Sequence, residues 1–253
     1  MILPLSELIS RAVEQALEDR VAIAFSGGLD STVIASIARK HADVELFTAG
    51  VEGSEDVGYA DKAASALGLP LTVVKIDEKM AMSAYARCHS LLPLDFLKLE
   101  ILVPVHCVAE AAASKKHQVM LFGSAAEELF AGYERYYISR DEGKDVDALL
   151  REEFRTLPQR DMAYVKKVCR SMGLDSRFPF HNKELADMMF SVPIEERMDD
   201  RALKKGILRE AAKLLGVPAI VIGRKKKAMQ YGSGVHKMLF RRVEEINREY
   251  PYS

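Results

Sequence analysis

The sequence predicts an α/β fold with a doubly wound, mostly parallel sheet and a helical C-terminal half. Short apolar runs alternate with amphipathic stretches of helical length from residue 20 to about residue 140. Strands that are covered on both faces and joined by crossover helices produce this alternation. Beyond residue 141 helical patterns continue, whereas strand signals become scarce. A chain of 253 residues is also long enough to bury a sizeable core.

The predicted elements follow one another in a regular order. A helix within residues 5–20 comes first, because its apolar residues recur at steps of three and four. The predicted strands are VAIAF (21–25), VELFTA (44–49), LTVVKI (71–76) and QVMLF (118–122). The helices between them are STVIASIARK (31–40), EDVGYADKAASAL (55–67), DEKMAMSAYARCHSLL (77–92) and LDFLKLEILVPVHCVAEAAASKK (94–116). Pro104 should kink or interrupt the last of these helices, because proline has no N–H to donate.

The second half of the chain is predicted to be helical. Its candidate helices are DVDALLREEFRTL (145–157), RDMAYVKKVCRSMG (160–173), KELADMMFS (183–191) and DRALKKGILREAAKLLG (200–216). The segment IGRKKKAMQYGSGVHKM (222–238) is basic and contains glycines, which favours a mobile loop. We expect a single domain over residues 1–253, with an α/β core at 20–140, whose ligand would bind at the carboxyl ends of the strands, and a helical portion at 141–253.

The amino-acid composition restricts which classes of partner the chain is expected to bind. The chain has 36 Lys plus Arg and 37 Asp plus Glu, so no overall field attracts it to nucleic acid or to a membrane. Its three cysteines are far apart and form no CxxC pair, which argues against a disulfide framework and favours a reducing, cytoplasmic setting. No apolar run approaches the roughly 20 residues that a membrane span needs.

The turn SGGLDST (26–32) carries an unusual concentration of polar groups. Between a strand and a helix its backbone N–H groups converge at a helix N-terminus, which favours phosphate binding. Gly27 and Gly28 lack a Cβ and let an anion approach the backbone. Asp30 would repel a phosphate unless a divalent cation lay between them, so it indicates a magnesium ligand. The alternative is that Asp30 or Ser31 is a helix N-cap and the glycines form an ordinary turn.

The hexapeptide SGGLDS (26–31) resembles the signature of the PP-loop ATP pyrophosphatases, and it matches neither the Walker A nor the GxGxxG pattern. Four further segments resemble, in the same order, blocks of asparagine synthetase: GSEDVGYADKAASALG (53–68), VMLFGSAAEELFAGYERYY (119–137), DSRFPFHNKELADMMFSVP (175–193) and KKGILREAAKLLGVPAIVIGRKKKAMQYGSG (204–234). The chain is identified as a member of the group that contains the asparagine synthetase synthetase domain and β-lactam synthetase. The resemblance implies an adenine nucleotide alpha hydrolase-like sheet.

The resemblance also implies a site for ATP and Mg²⁺. It assigns the cofactor-binding role to Ser26, Gly27, Gly28, Leu29, Asp30, Ser31, Thr32, Val51 and Gly123. It makes Asp30 and Glu127 the magnesium ligands, with Glu127 where the family usually has Asp. The alternative is that Glu127 and Glu128 only complement a helix dipole.

A catalytic loop near residues 223–235 is implied by the similarity to the family's Arg-X-Lys motif. Lys226 matches its lysine and Arg224 its arginine, and a lysine there would stabilise charge on the adenylated carboxylate and the departing pyrophosphate. Lys225 and Lys227 are the candidates if the register shifts by one. The alternative is that these residues form a solvated basic patch that contacts RNA phosphate.

The family resemblance implies that a small-molecule carboxylate is adenylated with ATP and then joined to an amine. Two departures bear on this expectation. The family's glutaminase domain is not found, so free ammonia, another amine or a separate glutaminase would supply the nitrogen. Ser124 stands where the family's Gly-Glu-Gly-Ser-Asp-Glu motif has its first acid. The alternatives are a tRNA- or nucleic-acid-modifying PP-loop enzyme and a non-catalytic ATP-binding subunit; the sequence leaves the oligomeric state open.

Overall fold

The computed structural model describes residues 1–224, 233–242, 245–246 and 248. In this part of the chain, five parallel strands form one sheet in the order β3-β2-β1-β4-β5. The strands are β1 (Arg20–Ala24), β2 (Asp43–Gly50), β3 (Leu71–Lys75), β4 (Val119–Leu121) and β5 (Asp175–Arg177). The order reverses between β1 and β4, and in such sheets ligands bind at the carboxyl ends of the strands at that point. The predicted α/β fold is confirmed.

Helices surround this sheet. Over the described residues they are α1 (Ile2–Glu14), α2 (Leu29–Ala38), α3 (Glu55–Leu67), α4 (Glu78–Leu91), α5 (Phe96–Ser114), α6 (Ala126–Leu129), α7 (Glu134–Asp141), α8 (Val146–Thr156), α9 (Asp161–Arg170), α10 (Lys183–Ser191), α11 (Ile194–Arg197), α12 (Gly206–Leu214), α13 (Ala219–Ile222) and α14 (Val235–Phe240). All the elements predicted for the first 140 residues are present. Among the described helices, none has both the length and the apolarity that crossing a membrane requires.

The core forms where β1 and β2 pack against α2 and α5. Residues Val21, Ile23, Leu46 and Phe47 of these two strands have no solvent exposure. Each such side chain contributes roughly 1.5–3 kcal/mol when it is fully buried. This burial explains why β1 is continuously apolar in the sequence, and it fixes the strand ends from which the site is built.

Three details differ from the sequence-based expectations. Pro104 does not interrupt its helix, since α5 runs unbroken past it. The helix is buried along most of its length, and this packing compensates the hydrogen bond that proline cannot form. The strand β5 lies in the half that showed little strand signal, since its residues Asp-Ser-Arg form no apolar run. The segment predicted as a loop at 222–238 contains the start of α14 at Val235. The division of the domain at residue 140 stays a prediction.

A polar cluster lies near the amino ends of the strands, away from the reversal point. Glu45 of β2 accepts hydrogen bonds from Lys115 and from Thr72 Oγ1, the latter at 2.7 Å, and its Oε2 lies 3.1 Å from His117 Nε2. Burial raises the pKa of Glu45, but these hydrogen bonds and the charge of Lys115 outweigh it and lower the pKa to about 2. The carboxylate therefore ties β2 to β3 and to the end of α5.

Candidate active site

The polar turn lies between β1 and α2, at the carboxyl end of the strand. Gly28 is the N-cap of α2 and has an extended backbone, and Asp30 lies in the first helical turn. The alternative that Asp30 or Ser31 is the N-cap is therefore wrong. Thr32 Oγ1 donates to the Gly28 carbonyl at 2.7 Å and Ser31 Oγ to the same oxygen at 3.4 Å, so these hydroxyls hold the turn. The amides of a first helical turn have no acceptors within the helix and face the strand end.

The two glycines of the turn have different surroundings. Gly27 has a φ of +64°, and a Cβ there would lie 2.6 Å from the Ala60 backbone nitrogen of α3. A Cβ on Gly28 would meet only Ser26 Oγ, at 3.1 Å. Gly27 is thus required for the close approach of the turn to α3, a reason that the sequence did not indicate. That an anion approaches the backbone at Gly27 and Gly28 stays a prediction.

Two carboxylates from neighbouring strand ends meet beside this turn. Asp30 follows β1, and Glu127 follows β4 on the short helix α6. Gly123, just after β4, lies against Asp30, because a Cβ on it would be 3.0 Å from the Cβ of Asp30. Asp30 and Glu127 both contact the ammonium of Lys205, a residue to which the sequence gave no role. The structure therefore brings the two predicted metal ligands together around a lysine.

The Lys205 ammonium has a nearly complete set of partners. Its Nζ lies 2.7 Å from each carboxylate oxygen of Asp30 and 3.0 Å from Glu127 Oε1. Burial is the largest cause and lowers the pKa of Lys205, while the charge and hydrogen bonds of Asp30 oppose the shift. The two contacts to Asp30 are hydrogen bonds, and the contact to Glu127 is an ion pair. Gly132 makes room for this group, since a Cβ on it would lie 1.8 Å from Glu127 Oε2.

An uncommon backbone carries Lys205 into this position. Lys204 and Lys205 have φ values of +60° and +57°, and Lys205 is the N-cap of α12. The guanidinium of Arg209 holds the turn, with Nε donating to the Lys204 carbonyl at 2.8 Å and Nη2 to the Leu203 carbonyl at 2.6 Å. Arg209 Nη2 also donates to the Arg224 carbonyl at 2.9 Å. The turn is therefore fixed to the start of the predicted catalytic loop.

Arg224 is anchored at the carboxyl edge of the sheet, against the turn and α3. Its Nη1 donates to the Ser26 carbonyl at 3.1 Å, its Nη2 to Asp56 Oδ1 at 2.6 Å, and its guanidinium lies 3.9 Å from the centre of the Tyr59 ring. These contacts clamp the end of α13 against the turn and α3. They give Arg224 a positioning function beside the site, and its predicted catalytic role stays a prediction.

The far side of the predicted catalytic loop also reaches the strand ends. The Val51 amide, directly after β2, donates to the Ser233 carbonyl at 2.9 Å. A Cβ on Gly234 would lie 2.4 Å from Val51 Cγ2, so this glycine permits a close contact. Lys226 and its alternatives Lys225 and Lys227 lie outside the described residues. The described residues on either side of them, Arg224 and Ser233, both lie at the carboxyl edge of the sheet.

A second acidic group is buried behind the two carboxylates. Glu128 is 5% exposed. Burial is the main cause that raises its pKa to about 7, and the charge of Lys205 opposes the shift. Nearby, the Tyr136 hydroxyl and Arg135 Nη2 donate to Glu153 Oε2 at 2.5 and 2.6 Å. Ser124 lies half-buried between β4 and α6. Glu128 is therefore a buried acid beside Glu127 whose proton can exchange near neutral pH.

Comparison with known proteins identifies the family. The family model described as Asparagine synthase matches residues 4–251. The chain belongs to the asparagine synthase family. The predicted membership is thereby confirmed.

Individual members of the asparagine synthase family match nearly the whole chain. A glutamine-hydrolyzing asparagine synthetase homologue of Methanocaldococcus jannaschii is 29% identical over 270 aligned residues, which cover 93% of this chain and 49% of that protein. Asparagine synthetase B of Escherichia coli K12 is 24% identical, over 88% of this chain and 45% of that protein. The chain thus spans about half the length of these relatives. NMN synthetase of Francisella tularensis has a TM-score of 0.46 at 14% identity, over 100% of this chain and 86% of that structure.

The donor set of this asparagine synthase family member fits a magnesium ion. Asp30 and Glu127 offer hard carboxylate oxygens in one place, around the Lys205 ammonium. Over the described residues, no group of three or more His, Cys, Asp or Glu side chains forms a metal site. Mg²⁺ is commonly held by one or two carboxylates, with phosphate oxygens and waters as the other ligands. The two carboxylates are therefore sufficient if a nucleotide supplies the rest.

Sequence reasoning missed Lys205, Arg209 and the Asp56 and Tyr59 partners of Arg224. The sequence predicts Lys205 inside a helix over residues 200–216, whereas α12 begins only at Gly206 and Lys205 is its N-cap. The local pattern therefore did not indicate that this lysine contacts the two carboxylates. The positions of Arg209, Asp56 and Tyr59 depend on contacts between distant segments, for which the sequence has no local pattern.

Proposed function

We propose that this chain is an ATP-dependent ligase that adenylates a substrate carboxylate and then forms an amide bond. In the first step a carboxylate oxygen attacks the α-phosphorus of ATP, the bond from that phosphorus to the bridging oxygen breaks, and pyrophosphate leaves. In the second step an amine nitrogen attacks the acyl carbon, AMP leaves with the former carboxylate oxygen, and the nitrogen loses a proton. The relatives are named asparagine synthetases, which favours aspartate as the acid and free ammonia or another amine as the nucleophile.

The observation that carries this proposal is the meeting of Asp30 and Glu127 beside the turn at the end of β1. In a member of the asparagine synthase family, two acids at neighbouring strand ends next to a helix N-terminus form a place for a metal–pyrophosphate group. A structural salt bridge alone would need one acid for one lysine. Two converging acids leave excess negative charge, which a divalent cation would neutralise.

Each part of the site has a task in the proposed reaction. The backbone of the turn at 26–32 binds the phosphates, and Thr32 and Ser31 keep it in shape. Asp30 and Glu127 would hold Mg²⁺, which supplies charge neutralisation of the leaving pyrophosphate. Arg224 holds the start of the loop against the turn. Lys226 remains the predicted residue for stabilising the developing charge.

The test is pyrophosphate release with ATP and Mg²⁺, comparing wild type, Asp30→Asn and the control Asp187→Asn. Asp187 is an exposed aspartate of α10 that pairs with Lys183. We expect release to be stimulated by aspartate with ammonia, to fall on the order of 100-fold or more in Asp30→Asn and to be unchanged in the control. Unchanged release in Asp30→Asn would contradict the assignment of the metal site.

The same assay separates the alternatives. Release that RNA alone stimulates would favour nucleic-acid adenylation through the basic segment. ATP binding without any turnover would favour an ATP-binding subunit that works with a separate glutaminase. Neither alternative has an observation among the described residues that favours it over carboxylate adenylation.

A further inference from the structure

We infer that Lys205 competes with the divalent cation for Asp30 and Glu127, so that the metal binds tightly only together with a nucleotide. The inference rests on the proposed function, because it takes these two carboxylates as the metal ligands. Lys205 would then be a positioning residue that sets the order in which metal and nucleotide enter, and its effect would appear in metal binding itself.

The geometry places the ammonium where the metal would have to be. Nζ lies 2.7 Å from both oxygens of Asp30 and 3.0 Å from Glu127 Oε1, so it is on the shared side of the two carboxylates. A magnesium ion that used the same oxygens would need distances of about 2.0–2.1 Å to them. An ammonium and a divalent cation at that point would repel each other strongly in a site that is shielded from solvent. One of the two must leave the shared side of the carboxylates.

The chain places Lys205 there against its local preferences. Lys204 and Lys205 both have left-handed backbones, which side-chain-bearing residues rarely adopt, and Lys205 puts a positive charge at the N-terminus of α12. Four hydrogen bonds of Arg209 to the carbonyls of residues 203, 204, 222 and 224 hold this turn in place. The side chain of Lys205 is only 3% exposed. The strained turn and its hydrogen bonds thus hold the buried Lys205 ammonium at one point between the two acids.

A nucleotide changes the balance between lysine and metal. Its phosphate oxygens supply further ligands for the metal and new acceptors for the displaced ammonium, so that both cations can be satisfied at once. Without phosphates, a metal that enters must leave a buried ammonium with fewer partners. Metal and nucleotide binding are therefore expected to be strongly coupled, and by linkage each should tighten the other by the same factor.

The test measures Mn²⁺ binding by the loss of the free-ion EPR signal, with and without the non-cleavable analogue α,β-methylene-ATP. The variants are Lys205→Met, Lys205→Arg and the control Lys183→Met, an exposed lysine of α10. We expect wild type, Lys205→Arg and Lys183→Met to bind Mn²⁺ weakly alone and much more tightly with the analogue. Lys205→Met should bind Mn²⁺ without nucleotide on the order of tenfold more tightly than wild type, because a competing charge is gone. Adding Asp30→Asn to Lys205→Met should abolish the gain.

The outcomes separate this inference from the proposed function. If wild type binds no Mn²⁺ even with the analogue, the proposed metal site fails. If wild type binds Mn²⁺ with the analogue but Lys205→Met shows no gain without it, competition is refuted and the proposed function stands. Circular dichroism and urea unfolding check that Lys205→Met is folded, with Lys205→Gln as a second neutral variant. If neither neutral variant folds, Lys205 is a structural cross-link and the inference is overturned.

Discussion

Replacing Gly132 by alanine should damage the site although no predicted ligand is substituted. The added Cβ would lie 1.8 Å from Glu127 Oε2 and 2.2 Å from Lys205 Cε. An ordinary contact begins at 3.4 Å, so Glu127 Oε2 must move by 3.4 − 1.8 = 1.6 Å and Lys205 Cε by 3.4 − 2.2 = 1.2 Å. Both groups are buried, so a shift of this size should cost about 1–3 kcal/mol of unfolding free energy. A misplacement of about 1 Å in a catalytic site commonly lowers the rate on the order of 100-fold.

The assay pairs pyrophosphate release with urea unfolding, and it compares Gly132→Ala with Gly58→Ala. Gly58 lies inside α3, and a Cβ there meets nothing within 4 Å. The control should keep its activity and gain slightly in stability, because alanine is the better helix former. If Gly132→Ala keeps wild-type pyrophosphate release, the close packing of Glu127 and Lys205 is not needed for the reaction, and the reasoning that places the metal there is refuted.

Two further predictions concern the frame of the site and the opposite end of the sheet. Arg224→Gln removes the guanidinium that pairs with the buried Asp56, so we expect urea unfolding to show a loss of about 3 kcal/mol in the free energy of unfolding. Because Arg224 also donates to the Ser26 carbonyl, we expect a higher KM for ATP. An unchanged KM would contradict the link to Ser26. Glu45→Gln should cost about 1–2 kcal/mol at pH 7, after a discount for screening. Because the folded pKa of Glu45 is lowered to about 2, this contribution is present above the unfolded value near 4.5 and disappears as pH falls from 4.5 to 2. Urea titrations at pH 7, 4 and 3 measure it, and a difference from wild type that is independent of pH would contradict the role of the Glu45 charge.

The parts of the fold that could be predicted from the sequence are those with a local pattern. The strand β1 is apolar on both faces, α3 has an amphipathic pattern with Gly68 at its end, and both elements appear where predicted. Asp30 could be identified from the sequence for the same reason, because a carboxylate in a glycine turn before a helix is chemically unusual. Glu127 was indicated by the family resemblance, and its place at a second junction between strand and helix agrees with it, since parallel strands end at the same edge.

The remaining features depend on contacts between segments that are far apart in the sequence. The strand β5 has only Ser176 buried between two charged residues, so its pairing with β4 determines it rather than its composition. The positive φ of Gly27 could be expected from residue type, but its close contact with the backbone of α3 could not. Lys205 resembles any surface lysine until the two acids from residues 30 and 127 lie beside it.

Arg209 connects the two halves of the proposed site. The buried guanidinium of Arg209 donates to the carbonyls of residues 203 and 204 just before Lys205 and to the carbonyl of Arg224, whose own guanidinium donates to the Ser26 carbonyl. A movement of the Lys205 turn that breaks the bonds to residues 203 and 204 would leave donors of Arg209 unsatisfied in a buried place, which costs about 1–3 kcal/mol for each one. The Lys205 turn and the start of the predicted catalytic loop at Arg224 are therefore expected to move together. Through this linkage, displacement of the Lys205 ammonium would alter the turn at 26–32 that we propose to bind ATP.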